Sequence, residues 1–223
     1  MSAGRFITFE GGEGSGKSTQ ARRLVDFLAS AGCETVLTRE PVGTPFAEQV
    51  RDLILSRATA RHGATAQALL FFAARCDHVE ALIRPALGRG AWVICDRFSD
   101  STRAYQGAAG AMPRDAIEAL DRIVVGDTRP DLTLILDIDP ARGLDRAAER
   151  RTAADQQGSA PDPFEERGLD FHERLREGYL AIARADPVRC RLIDADGTPD
   201  AVEDRVREAV QQHFARDLAG KVS

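Results

Sequence analysis

Asparagine does not occur anywhere in this chain of 223 residues. That absence removes one class of function: a switch protein that reads guanine normally carries an N-K-x-D segment after a strand. Lysine is nearly as scarce, with Lys17 and Lys221 standing against a background of arginines. Cys33, Cys76, Cys95 and Cys190 form no CxxC pair and show no metal-ligand spacing. The four histidines are equally dispersed, so neither a disulfide framework nor a zinc site is expected. Cys33, Cys95 and Cys190 fall in or beside expected strands, which reads as buried, reduced thiols of a cytosolic protein. No apolar run approaches the roughly 18 residues of a membrane span. Met1–Phe9 lacks the apolar core of a signal peptide. A cytoplasmic location follows as the expectation. The net charge of −5 offers no basic field for nucleic acid. The chain shows no linker long enough to separate one domain from another. With 43% hydrophobic and 29% charged residues, residues 1–223 read as one soluble domain with a sizeable core.

What is present begins with one of the two lysines. Gly11-Gly12-Glu13-Gly14-Ser15-Gly16-Lys17-Ser18-Thr19 fits G-x-x-x-x-G-K-[ST], the phosphate-cradling loop. Glycines let successive amides turn toward one anion. A helix N-terminus adds unpaired donors and the positive end of its dipole. Lys17 reaches the β- and γ-phosphates of a nucleotide, and the Ser18 hydroxyl can hold Mg²⁺. The flanks agree. Phe6–Glu10 reads as an apolar strand, and Lys17–Ala31 as an amphipathic helix.

Short apolar runs alternate with helical patterns along the rest of the chain. Further strands are expected at Glu34–Thr38, Trp92–Cys95, Leu132–Asp137 and Cys190–Asp194. Helices are expected at Phe46–Leu55, Ala64–Leu87, Ser101–Ala108 and Arg114–Val125. Three more are expected at Pro140–Arg151, Phe164–Arg184 and Pro199–Ala215. Strands separated by helices imply an α/β fold, here a three-layer α/β/α P-loop kinase arrangement on a five-stranded parallel sheet. Pro85 predicts a kink or split in the longest helix. Thr152–Pro163, rich in Ala, Gln, Gly, Ser and Pro, reads as a surface loop or, over a phosphate site, as a portion of a mobile lid spanning about residues 142–165.

A second motif follows the third expected strand. Asp96 and Arg97 lie where a parallel strand delivers its residues to the ligand crevice. Asp96 can bind Mg²⁺, and the planar fork of Arg97 suits a phosphate. Ser101, Thr102, Tyr105 and Gln106 add polar groups fit for an uncharged ring and a sugar. Phe71 offers an aromatic face for a base, although Leu69, Leu70, Phe71 and Phe72 also read as an apolar core run. Arg75, four residues on, shares its helical face.

The segment Asp96-Arg97-Phe98-Ser99-Asp100-Ser101-Thr102-Arg103-Ala104-Tyr105 closely resembles the D-R-[FYH]-x-x-S-x-x-A-Y pattern of the thymidylate kinase family. Thr38-Arg39-Glu40-Pro41-Val42-Gly43-Thr44, the Phe71…Arg75 pair, the F-E-G phosphate loop with its acid at Glu13, and Gly126–Asp137 resemble further family segments, in order. The resemblance implies ATP as phosphoryl donor with Mg²⁺, dTMP as acceptor, and a homodimer. It places Phe71 on the thymine ring, Arg75 and Thr102 at the base edge, and Tyr105 behind the deoxyribose. Arg39 and Arg97 lie near the dTMP phosphate, and Glu13 near the sugar 3′-hydroxyl or the metal shell. Because the loop Gly12–Ser15 holds no arginine, the resemblance assigns the transferred phosphoryl group to lid arginines, with Arg146 and Arg150 foremost and Arg151 beside them. Arg142, Arg146 and Arg150 also form a cationic stripe at helical spacing, which reads equally as a solvated face. Two departures carry expectations. Val42 replaces a usual glycine, which predicts a shifted loop after Pro41 and with it a shifted Arg39. Pro163 stands where many relatives have arginine, with Arg167 as a substitute. A nucleoside kinase, which needs a base such as Glu13 or Glu40 near a hydroxyl, and a non-catalytic ATP-binding regulator are the alternatives.

Overall fold

The computed structural model describes residues 4–56, 62–154 and 164–219. Five strands, β1 (Arg5–Gly11), β2 (Thr35–Arg39), β3 (Trp92–Asp96), β4 (Leu132–Asp137) and β5 (Cys190–Asp194), build one parallel sheet in the order β2-β3-β1-β4-β5. These are the expected strands, each within one residue at either end. The central strands β1, β3 and β4 are buried almost throughout because helices cover both faces. On one face, Leu24 and Leu28 of α1 (Lys17–Ser30) pack with Val206 and Val210 of α9 (Pro199–His213). On the other, Leu175 and Tyr179 of α8 (Leu169–Ala185) pack against Ile135. The remaining connections are α2 (Pro45–Leu55), α3 (Ala64–His78), α4 (Arg84–Gly88), α5 (Ser99–Thr102), α6 (Arg114–Val124) and α7 (Pro140–Ala154).

Local chemistry sets several helix starts. Thr44 caps α2, its hydroxyl accepting from the Ala47 amide at 3.0 Å ahead of Pro45, and Thr198 caps α9 in the same way ahead of Pro199. The expected helix at Ala64–Leu87 is not split by Pro85. A π-helical turn, Val79–Ile83, joins α3 to α4, and the Arg84 amide reaches back five residues to the Val79 carbonyl. The wide turn absorbs the donor that proline lacks. Likewise the expected Ser101–Ala108 helix starts at Ser99 as α5 and becomes π-helical over Arg103–Ala108. The last helix before β5 starts at Leu169 rather than Phe164, because Gly168 takes the cap position and Phe164–Arg167 forms a turn.

Register brings the chemistry to one edge. Asp96 lies opposite Phe9 of β1 and Arg39 of β2, so β2 and β3 end level and β1 runs two residues further, to Gly11. The chain therefore leaves β1, β2 and β3 side by side at the carboxyl edge of the sheet, where open α/β sheets bind ligands.

Candidate active site

Between β1 and α1, glycines carry the turn. Gly11, Gly14 and Gly16 have φ of 136°, 66° and 90°, all left-handed or beyond the reach of ordinary side chains. Gly16 caps α1 without any side-chain hydrogen bond, which leaves the helix's first amides to an anion. Lys17 folds back over the loop, its Nζ donating to the Gly12 carbonyl at 2.6 Å and to Ser15 Oγ at 3.2 Å. Burial, with Arg97 nearby, lowers the Lys17 ammonium to about 8 against the pull of Glu13.

Ser18 Oγ donates to Asp96 Oδ2, while Asp96 Oδ1 is buried with no partner among the described residues. A hydroxyl and an unclaimed carboxylate oxygen beside the phosphate loop fit a hard cation such as Mg²⁺. No group of three or more His, Cys, Asp and Glu side chains could hold a metal among the described residues, so nucleotide oxygens and water would complete its shell.

Arg97 is one of two non-glycine residues with positive φ among the described residues, at 71°. Its amide continues the sheet by bonding the Phe9 carbonyl at 2.9 Å. Its side chain turns to Glu13, with Nη2 2.9 Å from Oε1, and lies 5.0 Å from the centre of the Tyr105 ring. The Tyr105 hydroxyl donates to the same Glu13 oxygen. Burial alone would raise the Glu13 carboxyl, but Arg97 and then Lys17 outweigh it and hold the group at about 2.

Arg75 is buried. Its Nε donates to Glu40 Oε2 at 2.8 Å and its Nη2 to Thr102 Oγ1 at 3.1 Å, between the faces of Phe72 and Phe98. Its Nη1 has no partner among the described residues. Glu40 also meets His78 Nδ1 at 3.3 Å, and His78 Nε2 lies 2.7 Å from Thr38 Oγ1. Of the apolar run Leu69–Phe72, Phe72 belongs to the core and Leu69 is exposed, while Phe71 is half-buried against the Phe164 ring at 6.2 Å.

One cavity of about 470 Å³ joins these groups. It runs from Lys17, Ser18 and Thr19 past Asp96 and Arg97 to Phe71 and Arg75, with Thr102, Tyr105 and Gln106 along its wall. Arg39 is exposed and lines it too. The Val42 side chain is buried, its amide bonds the Arg39 carbonyl at 3.3 Å, and Arg39 lines the cavity.

The lid arginines divide. Arg150 lines the cavity and pairs with Glu165 at 3.1 Å, and Arg151 meets the other oxygen of Glu165 at 2.6 Å. Arg146 does not line the cavity. It donates to the carbonyls of Ala195 and Gly197 instead, at 3.1 and 3.4 Å, and Arg142 pairs with Asp196. Arg167 stacks on Phe171, 4.9 Å from the ring centre, also outside the cavity. The expected lid residues 155–163, Pro163 included, lie outside the described residues. The first turn of α7 sits on the phosphate loop, where a Cβ on Gly14 would fall 1.9 Å from the Gly143 carbonyl oxygen.

A second cavity, of about 510 Å³, lies between α6 and α8 around the Asp100, Arg103, Asp121 and Arg189 ion pairs, apart from the phosphate loop. Three buried features of the site were not singled out from sequence: Glu10, Glu40's hold on Arg75, and Tyr179. Glu10 read as strand and as the first acid of the F-E-G segment, with no role of its own, and Tyr179 read only as helix. Glu40 stood in the Thr38–Thr44 segment and as a base for the nucleoside kinase alternative, not as a partner of Arg75.

Comparisons with known proteins agree with this geometry. A family model described as thymidylate kinase matches residues 9–206. A thymidylate kinase of Caulobacter vibrioides is 53% identical over 214 residues, covering 96% of this chain and 99% of that protein. Another, of Bradyrhizobium diazoefficiens, is 51% identical over 99% of this chain and 94% of its own. A crystal structure of thymidylate kinase from Ehrlichia chaffeensis superposes with a TM-score of 0.76 at 32% identity, covering 94% of this chain and all of that one.

Proposed function

The chain belongs to the thymidylate kinase family, and from that premise we propose how its residues divide the work. The enzyme transfers the γ-phosphoryl group of ATP to the phosphate of dTMP, giving dTDP and ADP. One observation carries the assignment of roles: a single cavity holds the phosphate loop at one end and, at the other, an aromatic face with an arginine donor that has no partner among the described residues.

The loop Gly11–Thr19 takes the ATP phosphates, with Lys17 on the β- and γ-oxygens. Ser18 and Asp96 would hold Mg²⁺, which would supply neutralisation of charge on those oxygens. Phe71 stacks on thymine. Arg75 Nη1, a donor without a partner among the described residues, faces a base carbonyl, and Thr102 and Gln106 border the same edge. Tyr105 backs the deoxyribose with Glu13 beside it. Arg39 and Arg97 bind the dTMP phosphate. The acceptor oxygen of a phosphate monoester is already ionised near neutral pH, its second pKa being about 6. No general base is then required, and a carboxylate held at about 2 is a poor one. Catalysis is positioning plus stabilisation of spreading negative charge. Arg150 is the lid arginine that lines the cavity, which supports its role at the transferred group. Arg146 serves only after release from the Ala195–Gly197 loop.

We place the enzyme in the cytoplasm as a homodimer. Phe46 and Leu53 on α2 and Leu69 on α3 are exposed apolar side chains on two packed helices, which supports a partner there. Light scattering giving twice the chain mass is the expected result. A coupled ADP-release assay across dTMP, thymidine, dCMP, dUMP and dAMP tests the reaction, with dTMP expected to lead. ATP binding without any product would return the regulator. Arg97→Ala should lower kcat and weaken dTMP binding, and a near-wild-type variant would refute the role given to Arg97.

A further inference from the structure

Glu10, the residue before the last of β1, is fully buried, and no step above uses it. No lysine or arginine lies within ion-pair distance of it among the described residues. Its carboxylate instead gathers four donors. Oε1 accepts the Phe98 amide at 2.8 Å and the Ser101 amide at 3.1 Å. Oε2 accepts the Ser101 hydroxyl at 2.6 Å and the Tyr179 hydroxyl at 3.1 Å. Burial, with Asp100 nearby, raises the group to about 7, and the surrounding donors pull against that rise.

These partners bracket Arg97. The residue's own left-handed backbone, at φ 71°, costs free energy unless its surroundings impose it. Two tethers do so. The Arg97 amide is fixed to Phe9, and the next amide, of Phe98, is fixed to Glu10. Ser101, held by Glu10 through both amide and hydroxyl, lies 3.5 Å from Arg97 Nη1. Adjacent residues of β1 thus clamp both sides of the turn that aims the guanidinium.

We propose that Glu10 is a positioning residue for phosphoryl transfer: with Tyr179 behind it, it imposes the left-handed turn that presents Arg97 to the acceptor phosphate. This rests on the reading of Arg97 as a ligand of the dTMP phosphate.

Glu10→Asp keeps the charge and withdraws the carboxylate by one methylene. Its kcat/KM for dTMP should fall at least tenfold, with KM for ATP within twofold. In an Arg97→Ala background the same change should cost less than twofold, because a residue acting through Arg97 has nothing left to act on. Glu10→Gln should stay within threefold of wild type. Its oxygen accepts both amides, and the two hydroxyls can accept from its NH₂. Tyr179→Phe removes one donor with little change of volume and should show a smaller loss that also vanishes beside Arg97→Ala. It decides the matter if Glu10→Asp does not fold. A full-size loss persisting in the Arg97→Ala background, or no loss in either Glu10→Asp or Tyr179→Phe, overturns the proposal. If Arg97→Ala alone is near wild type, the reading of Arg97 falls first.

Discussion

Arg75 shows why a buried charge in this site has two consequences when removed. Its guanidinium sits between Phe72 and Phe98 and neutralises Glu40, yet leaves Nη1 without a partner among the described residues. Arg75→Met strands Glu40 in the interior. Breaking a buried pair from one side costs about 3–5 kcal/mol, so the melting temperature should fall clearly. The base edge loses its donor as well. A hydrogen bond from a charged group is worth about 1.5–3 kcal/mol, so kcat/KM for dTMP should drop by roughly ten- to a hundredfold. The double variant Arg75→Met, Glu40→Gln separates the two effects. It should recover some of the thermal stability, measured by calorimetry, and none of the dTMP affinity. Lys17 offers the simpler case: Lys17→Ala removes the cation from the β- and γ-oxygens, and kcat should fall by about 100-fold or more, by analogy with loss of one preorganised donor at a reacting centre.

At the scale of elements, α7 is coupled to the phosphate loop through two backbones. A Cβ on Gly143 would sit 2.4 Å from the Glu13 carbonyl oxygen. Helix propensity alone favours alanine there by about 0.5–1 kcal/mol. The clash is with backbone, which cannot swing aside, so Gly143→Ala should push α7 off the loop. The expected outcome is a raised KM for ATP and a lower kcat, with KM for dTMP changing less, measured by steady-state kinetics with each substrate varied. The strands, the loop and Asp96-Arg97 were legible in sequence because local patterns determine them: apolar runs, glycines at fixed offsets, a helix start. The π-helical turns were not, since Val79–Ile83 and Arg103–Ala108 differ from α-helix by one hydrogen-bond step that leaves no change of composition. The partners of Arg146 were equally hidden. Its helical spacing to Arg150 implies a common face, but the loop at Ala195–Gly197 reaches that face only through the sheet order, which sets β5 beside β4. Glu40's grip on Arg75 is a tertiary contact across 35 residues, invisible to any local rule.

Across the whole molecule, three ionisable groups near the sheet's carboxyl edge, Glu10 and Lys17 buried and Glu13 partly so, make stability depend on pH in opposing ways. Glu13, held at about 2, favours the ionised native state. Its stabilisation is present above the ordinary carboxylate value of 4.5 and is lost as pH falls toward 2. Lys17, lowered to about 8 from 10.5, binds its proton less tightly in the native state, so its penalty is relieved as pH rises from 8 to 10.5. Glu10 has the reverse sign to Glu13. Raised from 4.5 to about 7, it keeps its proton in the native state through a window where the unfolded chain has lost it. Native stability therefore declines from this source as pH rises from 4.5 to 7, and stays reduced above that. Glutamine at position 10 has no proton to lose. The difference in melting temperature between Glu10→Gln and wild type should thus grow in favour of the variant between about pH 5 and pH 8, at about 2–4 °C per kcal/mol for a chain of this size. Calorimetry of both proteins at the two pH values decides it. A difference that does not change with pH would mean that Glu10 is ionised throughout, with its four donors outweighing the cost of burial.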